Sequence, residues 1–304
     1  MIGRIARLYY EHGLTHQEIA DIFGISRVKV TRLLQEARER GIVEIRVHSQ
    51  TSPFVDVEHA LTERFGLRQA WVAPSPSDPA KAAAAFSSCG AEALQSVIDS
   101  GSTVAVSLST AVSSVCNALP TAPLGGLFVP VSGGWSGLSD GSSPAEIAML
   151  LGQRTSGRSY RLPATLVAPD ANTARATLAQ PELAQVLETA ASAAILLTGI
   201  GGTGANPGLL FNSLPDATRA TLMSGGALGD LSGRYFNAAG ELVDSDLNDR
   251  IVGLRLDQMR AIPFRIAFAL GAHKLTAMRA ALTSRLVNAV VTDFDTAQSL
   301  LHEV

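Results

Sequence analysis

Two groups of side chains in this 304-residue sequence could do chemistry, and in both cases the chemistry is binding. The first lies in THQEIADIFGISRVKVTRLLQEARER, residues 15–40, where Ser26, Arg27, Val28, Lys29, Thr31, Arg32 and Gln35 place hydroxyl, guanidinium, ammonium and amide groups along one short stretch. Arg, Ser/Thr and Gln hydrogen-bond base edges, while Arg and Lys also hold phosphates. The second group is spread along the chain: Ser107, Ser109 and Thr110 after an apolar run, Gly133 and Gly201 in glycine-bearing turns, and Lys274, one of three lysines, before a helix-like segment. Hydroxyls, glycine amides and an isolated ammonium at strand-to-helix turns suit a phosphate or a carboxylate. No acid/base pair or nucleophile can be assigned from spacing, so no catalytic residue is named. Asp244, Asp246 and Asp249 are clustered but read as a loop of solvated acids, and no metal is expected. Gly199, Gly201 and Gly204 formally satisfy the GxGxxG dinucleotide pattern, yet Asn206, Pro207 and Gly208 follow at once and would interrupt the helix that must carry a pyrophosphate. No cofactor is expected.

The first group needs two crossing helices to present it. Ala20 is small where helices cross closely, Gly24 can take a turn conformation that a Cβ disfavours, and Ile19, Phe23, Ile25, Val30, Leu33 and Leu34 fall on one apolar seam. Ser26 suits the N-cap of the second helix, which leaves Arg27, Val28, Thr31, Arg32 and Gln35 on the outer face of a helix-turn-helix, with Arg27 and Lys29 alternatively holding phosphates. An ordinary amphipathic hairpin would share the pattern without reading DNA. Glu36, Arg38, Glu39 and Arg40 read as solvated surface charges, and Ile5, Leu8 and Tyr9 as a first helix beginning almost at Met1. After Gly41, the alternation from Ile42 to His48 predicts a short wing strand whose Arg46 and His48 either touch the DNA backbone or pack beside the helices.

Length predicts about two domains, with residues 1–50 as a winged helix-turn-helix and 51–304 as a linker and a larger body. Residues 1–48 carry eight Lys/Arg against six acids, so a head of charge +2 precedes a remainder of −5, the sign expected for a nucleic-acid head. With 46% apolar and 17% charged residues, disorder is excluded. Cys89 and Cys116 lack any metal or redox spacing, no apolar run approaches a membrane span, and no signal segment precedes the head, so the cytoplasm is expected. Beyond Thr51, Ser52 and Pro53 a helix is predicted over Phe54–Leu67. Strand-like runs follow at Ala70–Ala73, Thr103–Ser107, Leu127–Ser132, Ala193–Ile200, Phe264–Leu270 and Leu286–Thr292, with helix-like stretches between them, including His273–Leu282 and Thr296–Leu301. That alternation predicts an α/β domain with a mostly parallel sheet. Ligands in such sheets lie beyond the strand carboxyl ends, which selects the loops Ser107–Ala111, Ser132–Gly137, Gly199–Asn206 and Gly271–Lys274.

The segments LYYEHGLTHQEIADIFGISRVKVTRLLQEARERGIVEIRV, LTERFGL, GALGDLSGRYFNAAGELV, IPFRIAFALGAHKLTAMRAAL and LVNAVVTDFDTAQSLL, which together run nearly the whole length, resemble the SorC family of sugar-binding transcriptional regulators, grouped near the DeoR regulators. The resemblance implies a winged helix-turn-helix joined to an effector domain similar to sugar-phosphate isomerases and CoA transferases. It also implies operator DNA and a sugar or sugar-phosphate effector as partners, and assembly into a homodimer or homotetramer. Lys274 matches a family lysine. Where the family usually reads GVGWGTT this chain reads AVSLSTA, with serines at 107 and 109 in place of glycines and Ala111 in place of a threonine; Asn237 replaces a common Asp. The leading helix is shorter than the family's, as a late-assigned start codon would leave it. Two other readings remain open at this point: a sugar-phosphate isomerase-like enzyme, and a regulator with a vestigial effector site.

Overall fold

The computed structural model describes residues 1–43, 52–135, 137 and 141–302. The chain divides into two compact units, Met1–Thr51 and Ser52–Val304. In the first, α1 (Ile2–Tyr10), α2 (His16–Phe23) and α3 (Arg27–Glu39) close around buried Ile5, Ala6, Ile19, Ala20, Val30, Leu33, Leu34 and Ala37. Thr15 starts α2 with a reciprocal capping box: its hydroxyl accepts from the Glu18 amide and the Glu18 carboxylate accepts from the Thr15 amide at 2.8 Å. Gly24 ends α2 with φ +62°, a left-handed conformation costly for any residue bearing a Cβ. Two residues later the Ser26 hydroxyl accepts from the Lys29 amide and opens α3. Phe23 and Ile25 are half-buried against the seam. The expected wing falls mainly on Glu44–His48, outside the described residues; Ile42 and Val43 form a turn whose amides donate to the Ala37 carbonyl.

The second unit runs α4 (Val55–Phe65), β1 (Gln69–Ala73), α5 (Pro79–Val97), β2 (Thr103–Val106), α6 (Thr110–Ala118), β3 (Leu127–Pro130), α7 (Pro144–Thr155) and β4 (Arg158–Ser159). It continues with α8 (Ala171–Leu178), α9 (Pro181–Ala191), β5 (Ile195–Gly199), β6 (Gly201–Gly202), α10 (Leu209–Ser213), α11 (Asp216–Ser224), β7 (Gly229–Leu231) and β8 (Arg234–Phe236). α12 (Leu247–Arg250), α13 (Leu256–Ala261), β9 (Phe264–Phe268), α14 (Leu275–Thr283), β10 (Ala289–Asp293) and α15 (Phe294–Leu301) complete it. Seven strands form one parallel sheet in the order β1-β10-β9-β5-β2-β3-β4, and β6, β7 and β8 form a small antiparallel sheet.

Alternation along the central strands sends side chains to two cores. Val104, Val106, Ile195, Leu197, Ile266 and Phe268 pack under α5, α6 and α7. Ala105, Leu196, Ala267 and Val290 pack instead under α4, α9, α13, α14 and α15. Both faces are thus covered, which is why these strands read as mostly apolar runs. The chain leaves β2 toward β3 and β4, then returns to β5 on the other flank of β2 and goes on to β9 and β10. This reversal makes the carboxyl ends of β2 and β5 the switch point where a crevice must open. Among the described residues no helix is long and apolar enough to cross a membrane.

Candidate functional site

On the first unit, Ser26, Arg27, Val28, Lys29, Thr31, Arg32 and Gln35 are all exposed, while Val30, Leu33 and Leu34 point to the core. Val28, Thr31, Arg32 and Gln35 follow one another at helical spacings of three, four and seven and share one face of α3. Thr31 donates to the Arg27 carbonyl at 3.2 Å and lies 3.4 Å from the His16 ring nitrogen Nδ1, and Gln35 donates to Glu39 at 2.8 Å. Arg7 pairs with Glu11 and Arg40 with Glu36, each at 3.1 Å, whereas no acidic side chain among the described residues pairs with Arg27, Lys29 or Arg32. The cations at the N-terminal end of α3 are therefore left to solvent beside the positive end of the helix dipole, with no acid in the first turn to neutralise it. An anion is the natural partner of that field.

In the second unit a cleft of about 240 Å³ opens at the switch point. Leu108, Ser109 and Thr110 reach it from the end of β2, Gly199 and Gly201 from the end of β5, and His273 and Lys274 from the turn after β9. Three of the four loops selected from the sequence thus converge. Ser109 caps α6, its hydroxyl accepting from the Val112 amide at 3.1 Å, so that the helix points its N-terminus at the cleft beside the exposed Thr110. A Cβ on Gly199 would stand 2.5 Å from the Ser109 hydroxyl, and one on Gly201 would collide with the Asp230 carboxylate; bare backbone at both positions is a packing requirement. The expected helix over His273–Leu282 begins later. Gly271, at φ +99°, turns the chain and donates to the Thr296 hydroxyl at 2.8 Å, a 3-10 turn covers Ala272–Lys274, and α14 follows.

The hairpin between β7 and β8 supplies what spacing alone did not reveal. Ser232 at φ +51° and Gly233 at φ +81° form a two-residue turn of the mirror-image type that suits strand twist. The Asp230 carboxylate accepts from the Gly233 amide at 2.8 Å, and the Ser232 hydroxyl accepts from the Leu108 amide at 3.2 Å, tying this hairpin to the β2 loop. Asp230 and Ser232 consequently line the cleft. Their signal was the Ser-Gly pair in GDLSGRYF, a turn dipeptide between strand-like residues.

Burial pushes the Asp230 carboxyl above the ordinary range, opposed by the Gly233 hydrogen bond and by Lys274. Burial likewise holds the Lys274 ammonium below its ordinary value, opposed by the Asp230 charge. The two face the cleft as an opposed pair without a direct ion pair. Lys274, lying nearby, adds to burial in lowering the His273 imidazole. Such a site presents a cation and a helix N-terminus for an electronegative end, and a carboxylate for hydroxyl donors.

Two residues named from the sequence do not reach the cleft wall. Ser107 is fully buried behind it, donating through its hydroxyl to Thr198 Oγ1 at 2.9 Å and through its amide to the Leu197 carbonyl. Gly133 is buried with its amide on the Val252 carbonyl, and its loop goes elsewhere, Gly134 and Trp135 lining a separate cavity of about 310 Å³. A Cβ at Gly133 would sit 2.5–2.6 Å from backbone atoms of Ala164 and Thr165. Gly133→Ala is accordingly expected to destabilise the fold by about 1–3 kcal/mol, the usual cost of overpacking, while Gly204→Ala, with nothing within 4 Å, is neutral. Equal urea midpoints for the two variants would refute this reading of Gly133.

Asn237 lies in another turn, its side-chain oxygen accepting from the Ala239 and Glu241 amides at 2.9 and 3.0 Å. A larger cavity, about 920 Å³ along α8, α9 and α13, holds none of the candidate binding residues named from the sequence, although Asp249 of the acidic cluster lines it. Its most buried cation, Arg234, is already engaged, donating to the carbonyls of Asn248, Ile251, Gly253 and Leu254. Among the described residues no group of three or more His, Cys, Asp or Glu is placed to hold a metal, and Gly201 lies in β6 with α10 starting only at Leu209, so no helix opens directly on the GxGxxG glycines.

Comparison with known proteins follows this division of the chain. Residues 50–302 match the family described as "Putative sugar-binding domain", and residues 4–52 match the Crp-like helix-turn-helix domain. The full-length sorbitol operon regulator SorC from Klebsiella pneumoniae superposes with a TM-score of 0.82 at 26% identity, over 99% of this chain and 98% of that one. The chain belongs to the SorC family of sugar-binding transcriptional regulators. Within this group it is 32% identical to the deoxyribonucleoside regulator of Bacillus subtilis (strain 168), over 98% of this chain and 96% of that protein. It is 30% identical to the transcriptional regulator LsrR of Escherichia coli (strain K12), over 99% and 94% respectively. A SorC-type chain therefore carries both units described above from end to end.

Proposed function

We propose that this SorC-family regulator binds double-stranded operator DNA through the exposed face of α3 and that a sugar or phosphorylated sugar in the switch-point cleft sets its affinity. The observation that carries this reading is the convergence of Thr110, Gly201, Asp230 and Lys274 on one cleft in a chain that also bears a helix-turn-helix. Lys274 and the N-terminus of α6 take the phosphate or another electronegative end, and Asp230 accepts from sugar hydroxyls. Ser107 supports the cleft from behind, through its hydrogen bond to Thr198. Arg32, Thr31 and Gln35 face base edges, and Arg27 and Lys29 face phosphates, with the Ser26 cap holding the helix start.

Regulation follows from linkage. An effector that binds DNA-compatible and DNA-incompatible arrangements of the protein unequally shifts operator affinity by that difference, commonly about 1–3 kcal/mol, or roughly 5- to 150-fold. Paired recognition helices match paired half-sites, so the working form is an even-numbered homo-oligomer, in the cytoplasm with its DNA. The chain acts by binding and not by turnover.

The test is binding to DNA from upstream of its own gene at fixed salt, with and without a panel of sugars and their phosphates. One compound shifting affinity within that range is the expected result. Specific binding indifferent to the whole panel would leave a DNA-binding protein without a sugar effector, and turnover of a phosphosugar would favour an enzyme.

A further inference from the structure

Val28 is the most exposed large apolar side chain among the described residues, at 79%, although it stands in the first turn of α3 between Arg27 and Lys29. Nothing among the described residues of its unit accounts for that placement. A β-branched residue at a solvent-facing helical position loses rotamer freedom and buries nothing in return, and Ala would serve the helix better. Single exposed apolar residues are ordinary on protein surfaces, but this one occupies the face on which Thr31, Arg32 and Gln35 follow at three, four and seven residues. Thr31 is turned back onto the Arg27 carbonyl and Gln35 is held by Glu39. Val28 and Arg32 are thus the two elements of that face without a hydrogen bond among the described residues, and Val28 is the apolar one, at the start of the helix.

The major groove offers one apolar feature on a base edge, the C5 methyl group of thymine. We infer that Val28 packs on the methyl group of a thymine in the operator, which makes it a specificity-determining residue flanked by the cations that hold the backbone. The inference rests on the DNA reading above. It adds the identity of a base, and it assigns the discrimination to dispersion and desolvation of two methyl-bearing groups instead of to hydrogen bonding.

The experiment begins with the full-length protein selecting duplexes from a random-sequence library. Each thymine of the enriched motif is then replaced by deoxyuridine, which keeps the pairing edge and the O4 acceptor and lacks only the methyl. The wild-type protein is expected to lose about fourfold in affinity at one thymine per half-site, which is a buried methyl's worth of about 0.8 kcal/mol at RT of 0.59 kcal/mol. Val28→Ala is expected to bind the thymine and deoxyuridine operators equally at that position, with a thermal midpoint unchanged or slightly raised because the side chain is exposed and Ala is the better helix former. Lys29→Ala is expected to weaken both operators alike, as a phosphate contact should. Indifference of the wild type to every deoxyuridine replacement, or a penalty that survives intact in Val28→Ala, overturns the assignment while leaving DNA binding in place. A library that enriches no motif removes the DNA reading and this inference with it.

Discussion

Arg32→Ala is expected to lower operator affinity by about 5- to 150-fold, the range of a lost bidentate base contact, and Arg27→Ala with Arg32→Ala by more, with thermal unfolding unchanged. Both side chains are exposed, and neither pairs with an acid among the described residues, so their removal leaves no buried charge or broken network behind. Arg27 and Lys29 stand in the first turn of α3, where the helix dipole disfavours cations, and no acid is present there to relieve them. That arrangement is mildly unfavourable for the isolated fold and favourable for a phosphate. Arg27→Ala should therefore leave the thermal midpoint unchanged or slightly raised, weaken binding across sequences, and reduce the salt slope of binding by about one. Arg32→Ala should instead relax specificity at one base position. Anisotropy titrations over a salt series, run beside thermal melts, separate the two effects; wild-type operator affinity in both variants would remove α3 from the interface.

The sequence made the central sheet visible because its strands are buried on both faces: Thr103–Ser107, Leu127–Ser132, Ala193–Ile200 and Phe264–Leu270 are predominantly apolar runs with Arg265 as their one charge, and each contains the observed strand. β4 escaped notice, since Arg158–Ser159 is two polar residues long and pairs only with β3. The small sheet escaped too. Its Gly201–Gly202 and Gly229–Leu231 strands have almost no side-chain pattern and are set by pairing and by the Asp230 contact to the Gly233 amide. Buried Asp230 and Arg234 run against the rule that charge means surface, so composition pointed away from both, although one lines the cleft and the other holds four carbonyls. Gly133 could be marked as a glycine of consequence, but the reason is its approach to Ala164 and Thr165, which only the folded chain supplies. The same limit applies to the serines: position in a turn did not tell that Ser107 bonds Thr198 behind the cleft while Ser109 caps the helix that faces it.

Lys274 and Asp230 carry the second large effect, and their substitutions should separate response from stability. Lys274→Met is expected to weaken the effector by about 10- to 150-fold, as loss of a charge-assisted hydrogen bond does, with operator binding in the absence of effector retained. Asp230→Asn keeps an acceptor for the Gly233 amide and removes a charge that burial disfavours. Because the folded-state carboxyl titrates above its unfolded value, ionised Asp230 penalises the fold: the penalty is absent below the unfolded value and grows as pH rises through the folded one. As pH rises above the ordinary carboxylate range, wild-type stability should therefore lose a contribution that Asp230→Asn does not lose, and there the variant should melt higher while binding effector more weakly. Lys274→Met acts in the opposite sense on this carboxyl, since it removes the neighbouring cation that opposes burial and so drives the Asp230 carboxyl higher still. In Lys274→Met plus Asp230→Asn the stability should recover while the effector binds more weakly still than to Asp230→Asn alone, which distinguishes a binding role for Lys274 from a merely structural one. Melting curves from pH 4 to 8 alongside effector titrations check each step. An unchanged titration in Lys274→Met would take this lysine out of the site, and parallel pH profiles for wild type and Asp230→Asn would mean that Asp230 is not the buried carboxylate that sets the slope.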